Sequence, residues 1–325
     1  MDILKETNFD FLGPKKTGKV RDVYERGDKL VLITTDRHSS FDRIVAHIPW
    51  KGQVLNQVSA WWFEVTRDII PNHVLAVPDP NVTIAKKCAM VPIEAVVRGY
   101  LTGVTDTAIW TRYAKGARVF GGLALPDGMR KNQRLPQPLF DPTTKEAAHD
   151  RALTPEQMIA EGFVSKELFE RIKAAALELF AQGQEVAARN GLILVDTKYE
   201  FGTDANGDLM LIDEIHTPDS SRYWQRDSYQ ARLAAGEEPH YFDKEFLRLW
   251  FIEHSDPYRD AALPEAPPDL VQELSRRYIQ MFEQITGKKF EYGTTPIVAR
   301  IERNLKAQNP LPNPPPLAGE GRVGG

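Results

Sequence analysis

Residues 192–215 constrain the fold of this chain more than any other stretch. They read Leu-Ile-Leu-Val-Asp-Thr-Lys-Tyr-Glu-Phe-Gly, then Thr-Asp-Ala-Asn-Gly-Asp, then Leu-Met-Leu-Ile-Asp-Glu-Ile. Two alternating strands around Asn206-Gly207 predict a β-hairpin with a two-residue loop. Such a loop pairs Ala205 with Asp208 and puts Glu200 directly opposite Asp213. Because side chains alternate along a strand, Asp196, Lys198, Glu200 and Asp213 then share one face. Ile193, Val195, Tyr199, Phe201, Met210 and Ile212 form the other, core-like face. Two carboxylates facing each other about 4 Å apart repel by about 4 kcal/mol at an effective dielectric of about 20, so the pair requires a cation. A hard divalent ion such as Mg²⁺ takes one or two carboxylates and completes its shell with water and phosphate oxygens. The hairpin therefore reads as a magnesium–nucleotide site with a lysine beside it. A solvated sheet face with alternating charges accounts for the same residues without a metal.

The chain has 325 residues, enough for two compact domains or one large one. With 41 basic and 45 acidic side chains the net charge is −4, so no global field attracts nucleic acid or a membrane surface. Anion binding falls to local groups. Cys88 is the sole cysteine, which excludes an internal disulfide and fits a reducing cytosol. The first residues lack a signal-peptide layout, and no apolar run approaches a membrane span. The expectation is a cytoplasmic globular protein, a monomer or small homo-oligomer with no nucleic-acid or membrane partner.

Residues 18–25 and 29–35 alternate as a hairpin around Arg26-Gly27-Asp28, and further strands are expected at 82–87 and 91–98. Leu55, Val58 and Trp62 mark a helix within 50–63. Residues 115–150 are rich in turn formers, which marks a functional stretch or a domain connection. Ser165 caps a predicted long helix with Leu168, Ile172, Leu179 and Val186 inward, ending at Gly191. Helices are also expected over 243–253 and 268–286. The organisation read from this is an N-terminal antiparallel β domain at 1–114, a catalytic domain at 115–304, and a Pro/Gly-rich, disordered tail at 305–325.

Several segments offer chemistry. Gly-Lys-Val-Arg-Asp-Val-Tyr (18–24) puts two cations on one strand face, able to cover a polyphosphate or simply to protect an edge. Thr-Thr-Asp-Arg-His-Ser-Ser-Phe-Asp (34–42) follows an apolar strand, where binding loops sit, and His38 there reads as a solvent histidine. Arg98, in Val-Pro-Ile-Glu-Ala-Val-Val-Arg-Gly-Tyr-Leu-Thr-Gly (91–103), either forks onto a phosphate or carboxylate or caps a loop carbonyl. In Asp-Glu-Ile-His-Thr-Pro-Asp-Ser-Ser-Arg-Tyr-Trp (213–224), Ser220, Ser221 and Arg222 make either an anion cradle or a turn capped by Asp219. His216 has no second His or Cys at ligand spacing, which argues against zinc. P-loop, dinucleotide-binding and serine-hydrolase motifs are absent.

These segments, in this order together with Asp-Thr-Lys-Tyr-Glu-Phe-Gly (196–202), closely resemble phosphoribosylaminoimidazole-succinocarboxamide synthases (SAICAR synthetases), in particular their longer, yeast-like form. The resemblance spans about residues 10–300 and leaves the tail outside. It implies an α+β fold: a small antiparallel N-terminal domain like a kinase N-lobe, and a larger ATP-grasp-like domain, with ATP in the cleft between them. It also implies an ATP-dependent ligation of L-aspartate to the carboxylate of the nucleotide CAIR, through an acyl phosphate and with Mg²⁺.

Residue by residue, the resemblance puts Gly18, Lys19 and Arg21 over the ATP phosphates, and Lys86, Met90 and Val91 toward the adenine. It makes Glu200 and Asp213 the magnesium carboxylates. Arg98, Gly103, Ser220, Ser221 and Arg222 fall around the ribose phosphate of CAIR, and Asp196 and Lys198 beside its imidazole. Lys145 and Asp150 fall near the reacting groups, and Asp42 near the aspartate substrate. One departure is Val104, where the family commonly has a serine whose hydroxyl helps hold the ribose phosphate. Two other functions fit parts of the same pattern: a kinase-like phosphotransferase acting on another small acceptor, and a catalytically dead nucleotide-binding regulator.

Overall fold

A computed structural model describes residues 2–105, 108–145, 151, 153–242, 244–293 and 296–308. The N-terminal part contains strands β1 (Lys15–Thr17), β2 (Arg21–Arg26), β3 (Lys29–Thr34), β4 (Arg37–Ser40) and β5 (Arg43–His47), then helix α1 (Lys51–Val65) and strands β6 (Val74–Asp79) and β7 (Val82–Lys86). Strand β8 (Ala89–Tyr100) leads into α2 (Ile109–Ala114), β9 (Val119–Phe120), β10 (Leu123–Ala124), β11 (Arg134–Phe140) and β12 (Thr143–Thr144). Helices α3 (Pro155–Ala160) and α4 (Lys166–Arg189) precede β13 (Leu192–Thr203), β14 (Leu209–Ile212) and β15 (Ser221–Gln225). Helices α5 (Arg226–Ala235), α6 (Glu245–His254), α7 (Pro268–Thr286) and α8 (Ile297–Ala307) complete the order.

The fold is α+β, as expected, built on two antiparallel sheets. The smaller runs β1-β2-β3-β7-β6, and the larger runs β11-β8-β13-β14 with β12 also on β8 and β15 also on β13. A boundary at residue 114 does not follow these sheets. The 12-residue β8 lies beside β13 in the larger sheet, so the change of sheet falls between Lys86 and Ala89. Helix α8 returns to the smaller sheet, where its Ile297, Ile301 and Leu305 pack with Tyr24, Val31, Ile33 and Val82. Leu305 is therefore core rather than tail; from Asn309 on, the expected tail lies outside the described residues.

Local signals explain most elements. Gly27, at φ +63°, allows the tight β2–β3 turn that pairs Arg26 with Lys29. The Ser165 hydroxyl accepts the Leu168 N–H at 3.2 Å and starts α4, and Gly191 at φ +72° follows its end. Phe169, Ile172, Ala176, Leu179 and Phe180 of α4 pack in the main core with Leu192, Leu194, Tyr199 and Phe201 of β13.

The central hairpin forms, but one residue out of the expected register. Thr203 pairs with Leu209 and Glu200 with Ile212, leaving a five-residue connection, 204–208. Asp204 closes it: its Oδ1 accepts the N–H groups of Asn206 and Asp208, at 2.9 and 3.1 Å. A one-residue slip exchanges faces. Leu209 and Leu211 thus join the core, and Met210 and Ile212, expected there, turn to the opposite face. A β-bulge between Leu194 and Asp196 likewise separates Val195, which packs with Tyr100 and Trp224, from Tyr199 and Phe201.

Candidate active site

A cleft of about 730 Å³ opens between the two sheets. The Gly18–Arg21 segment and the β4–β5 turn at Ser39–Asp42 line one wall. The other wall is the free face of the larger sheet, where alternation brings out Glu94, Val96 and Arg98 from β8 and Asp196, Lys198 and Glu200 from β13. These pair directly across the ladder: Asp196 with Arg98, Lys198 with Val96, Glu200 with Glu94. The facing carboxylates are thus Glu94 and Glu200, not Glu200 and Asp213.

Asp213 reaches the cleft by another route. It follows β14 in the left-handed region at φ +67°, which turns its carboxylate to the Glu200 side despite the slipped register. The carboxylates are held by resident cations. Lys198 Nζ is 2.7 Å from Glu200, 3.3 Å from Glu94 and 3.8 Å from Asp213, and Lys145 also donates to Glu200. Arg21 donates to Asp213 at 2.6 Å and lies 3.2 Å from Glu214. Burial alone would raise the Asp213 carboxyl, but Arg21, then Lys198 and Lys145, hold it well below the usual range. Burial likewise works against the Arg21 charge, and Asp213 and Glu214 outweigh it, keeping that guanidinium firmly protonated. Lys19 is exposed at the mouth and donates to Asp42, at the tip of the β4–β5 turn.

The other end of the cleft is a chain of alternating charges. Arg98 Nε donates to Asp141 at 3.0 Å, and Arg222 donates to Asp196 at 2.7 Å and lies 3.5 Å from Glu245. Gly103, at φ +100°, lies outside the lining but leaves room there: a Cβ would sit 2.7 Å from Ala108 Cβ and 3.3 Å from an Arg222 nitrogen. The turn before Arg222 is capped by Thr217, whose Oγ1 accepts the N–H groups of Asp219 and Ser220, at 3.2 and 3.1 Å. Asp219 turns inward instead, to Lys51 at 2.8 Å and the Tyr278 hydroxyl at 2.9 Å. Ser220 and Ser221 line the cleft, with Ser221 donating to Thr197 at 2.8 Å.

Of the remaining candidates, Lys86 lies 3.7 Å from Asp204, Met90 is exposed and Val91 is in the core; none lines the cleft. Asp150 lies outside the described residues. His38, expected in solvent, is fully buried, and burial lowers its pKa to about 3.

The SAICAR synthetase family profile matches residues 15–264. This chain belongs to the SAICAR synthetase family. A phosphoribosylaminoimidazole-succinocarboxamide synthase of Legionella pneumophila (strain Paris) is 57% identical over 305 residues, covering 93% of this chain and 97% of that protein. Among solved structures, the SAICAR synthase of Saccharomyces cerevisiae complexed with SAICAR matches with a TM-score of 0.76 and 31% identity, covering 89% of this chain and 100% of that one. A SAICAR synthetase in complex with ADP matches with a TM-score of 0.66 and 26% identity, covering 86% and 100%. The activity is accordingly that of an ATP-dependent ligase of purine biosynthesis. No helix among the described residues is long and apolar enough to cross a membrane.

Four charged residues of this cleft carried little or no mark in the sequence. Glu94 had a signal, since it shares strand parity with Arg98, and Glu214 adjoins Asp213. Lys244 and Arg248, one helical turn apart near the start of α6, had none, because only folding brings them into the cleft. Burial lowers the Lys244 pKa to about 8, against the pull of Asp219 and with help from Arg248 and Lys51. The Lys244 charge is therefore present below that pKa and lost as pH rises through about 8.

Proposed function

We propose that this chain joins L-aspartate to the imidazole carboxylate of CAIR, forming SAICAR, ADP and phosphate through an acyl phosphate. One observation carries the reading: a single cleft holds both the lysine–carboxylate cluster and the arginine–serine end, linked by one strand face bearing Asp196, Lys198 and Glu200. A carboxylate is a poor acyl donor. A CAIR carboxylate oxygen attacks the γ-phosphorus of ATP, the bond to the β,γ-bridging oxygen breaks, and ADP leaves. The aspartate amine then attacks the activated carbonyl carbon, and phosphate departs with the acyl oxygen as the ammonium proton is lost. Both steps depend on alignment and charge neutralisation.

Gly18 and Lys19 cover the ATP phosphates; the adenine side falls to Lys86, Met90 and Val91 at the β7–β8 crossing, outside the cleft lining itself. Arg21 stands beside Gly18 and Lys19 on the same wall, paired with Asp213 and Glu214. Two cleft carboxylates sharing Lys198 are an oxygen donor set suited to a hard divalent cation, so Glu200 and Asp213 would hold Mg²⁺. That ion would supply neutralisation of the β- and γ-phosphoryl oxygens when bound. Arg98, Arg222, Ser220 and Ser221, joined by Lys244 and Arg248, hold the ribose phosphate, and Gly103 keeps Arg222 in line. Asp196 and Lys198 face the imidazole, Lys145 and Asp150 serve the reacting groups, and Asp42 faces the incoming aspartate. The setting is the cytosol, with the enzyme a monomer or small homo-oligomer.

The test is ADP release from ATP and CAIR with and without L-aspartate, with SAICAR followed in parallel. Stoichiometric ADP and SAICAR that require aspartate are expected. Sustained ADP release without aspartate would indicate a phosphotransferase, and no turnover a dead homologue.

Val104 tests the phosphate end. A lost hydrogen bond to a charged group costs about 1.5–3 kcal/mol if nothing replaces it. The Thr102 hydroxyl is engaged with Asn132 at 2.6 Å, but Thr105 and Ser220 line the cleft and can replace it. Val104→Ser should therefore change the KM for CAIR by less than about fivefold, with the KM for ATP unaltered. A larger gain would refute the compensation.

A further inference from the structure

The segment carrying Asp213 and Glu214 away from β14 takes left-handed backbone at two places. Asp213 (φ +67°) and His216 (φ +50°) both occupy the left-handed region, which Asp and His adopt more readily than most residues and which their surroundings here hold in place. At His216 the surroundings are on the reverse side of the larger sheet. The ring is fully buried and stands edge-on to Trp62, with centroids 4.6 Å apart. Its Nε2 shares a 2.5 Å hydrogen bond with the Tyr199 hydroxyl, and its carbonyl accepts the Tyr223 hydroxyl at 2.9 Å.

A third contact comes from α4. A Cβ on Gly183 would lie 2.4 Å from Cε1 of His216 and 2.9 Å from its Nδ1, so glycine alone leaves space for the ring. Tyr199 stands between Lys198 and Glu200 on β13. The strand that offers those two residues to the cleft therefore holds, through its opposite face, the loop that offers Asp213 and Glu214. Between these points the Ser59 hydroxyl accepts the Ile215 N–H at 3.2 Å, and Thr217 donates to Glu214 at 2.6 Å.

We propose that His216, seated on Gly183 and tied to Tyr199, is a positioning residue that sets Asp213 and Glu214 relative to Glu200 for binding a divalent-metal nucleotide. The inference rests on the reading of Glu200 and Asp213 as metal ligands. Burial lowers the His216 pKa to about 3, so the ring stays neutral at working pH and acts by geometry rather than proton transfer.

The test compares Tyr199→Phe, which deletes one oxygen, with Gly183→Ala, which displaces the ring, by calorimetric titration of ADP at graded Mg²⁺ and in EDTA. Residues that orient ligands from behind cost about 10-fold or more in metal affinity. In both variants the Mg²⁺ concentration for half-saturation should therefore rise about tenfold, while ADP affinity in EDTA stays within about twofold. A lowered Tm with unchanged Mg²⁺ dependence would reduce His216 to a packing residue and overturn the proposal. If Gly183→Ala does not fold, Tyr199→Phe decides alone. Asp213→Asn separates the two readings. If it leaves Mg²⁺ dependence intact, the metal assignment fails and the proposal with it; if it removes that dependence while Tyr199→Phe keeps it, the proposal alone fails.

Discussion

Asp213→Asn and Glu200→Gln should each lower kcat by at least about 100-fold, the scale expected when a charge-stabilising group is removed from a reacting centre. The substitutions are chosen to change charge and little else. Asparagine is among the few residues at ease in the left-handed region, so Asp213→Asn keeps the φ of +67° that turns this side chain into the cleft. Glutamine preserves the size of Glu200 and leaves Lys198 with Glu94, 3.3 Å away. Circular dichroism should stay close to the parent while turnover falls, and the neutral-pH Tm of Asp213→Asn should drop by the lost pairing with Arg21. The acid limb of stability gives a second reading. The Asp213 carboxyl is held below its unfolded value, so its contribution is present above the ordinary carboxylate range and lost as pH falls through and below it. Asp213→Asn should therefore flatten the acid-side decline in Tm. Near-normal turnover in either variant would show that these carboxylates do not serve the phosphoryl groups.

The same residues show how far the sequence could be read. Alternation along β13 was enough to place Asp196, Lys198 and Glu200 on one face, because that property is local to one strand. Their partners depended on register, and there the Asn206-Gly207 signal misled. Asp204 accepts two backbone N–H groups and enlarges the connection to five residues, shifting β14 by one position. The expected pairing of Glu200 with Asp213 was then replaced by Glu200 with Glu94, and Asp213 regained the cleft only through its unusual φ. The inferred need for a cation was sound as electrostatics, yet Lys198 and Arg21 already meet much of it. Long-range pairings were the least legible. β8 reads as a continuation of the first strands but belongs to the second sheet, and Lys244 and Arg248 carry no local mark of the cleft they line.

The largest loss of stability should come from Asp219→Asn. Lys51 is completely buried at the start of α1, 2.8 Å from Asp219, whose other oxygen accepts the Tyr278 hydroxyl at 2.9 Å. Burial would raise the Asp219 carboxyl, but Lys51 and then Lys244 hold it well below the usual range, so it is ionised wherever the fold is stable. Removing that charge leaves a buried ammonium uncompensated, a change that costs about 3–5 kcal/mol when one partner of a buried pair is deleted. Urea unfolding of Asp219→Asn should show a loss of that size. Pairing it with Lys51→Met removes the stranded charge as well, and the double variant should recover more than half of the loss. Asp219 also anchors the turn that presents Ser220, Ser221 and Arg222, so the double variant separates two roles. If stability returns while the KM for CAIR stays raised, the pair positions the phosphate end in addition to holding α1 in place. If both return together, the ion pair matters to the fold alone, and the geometry of that turn is set by the Thr217 cap.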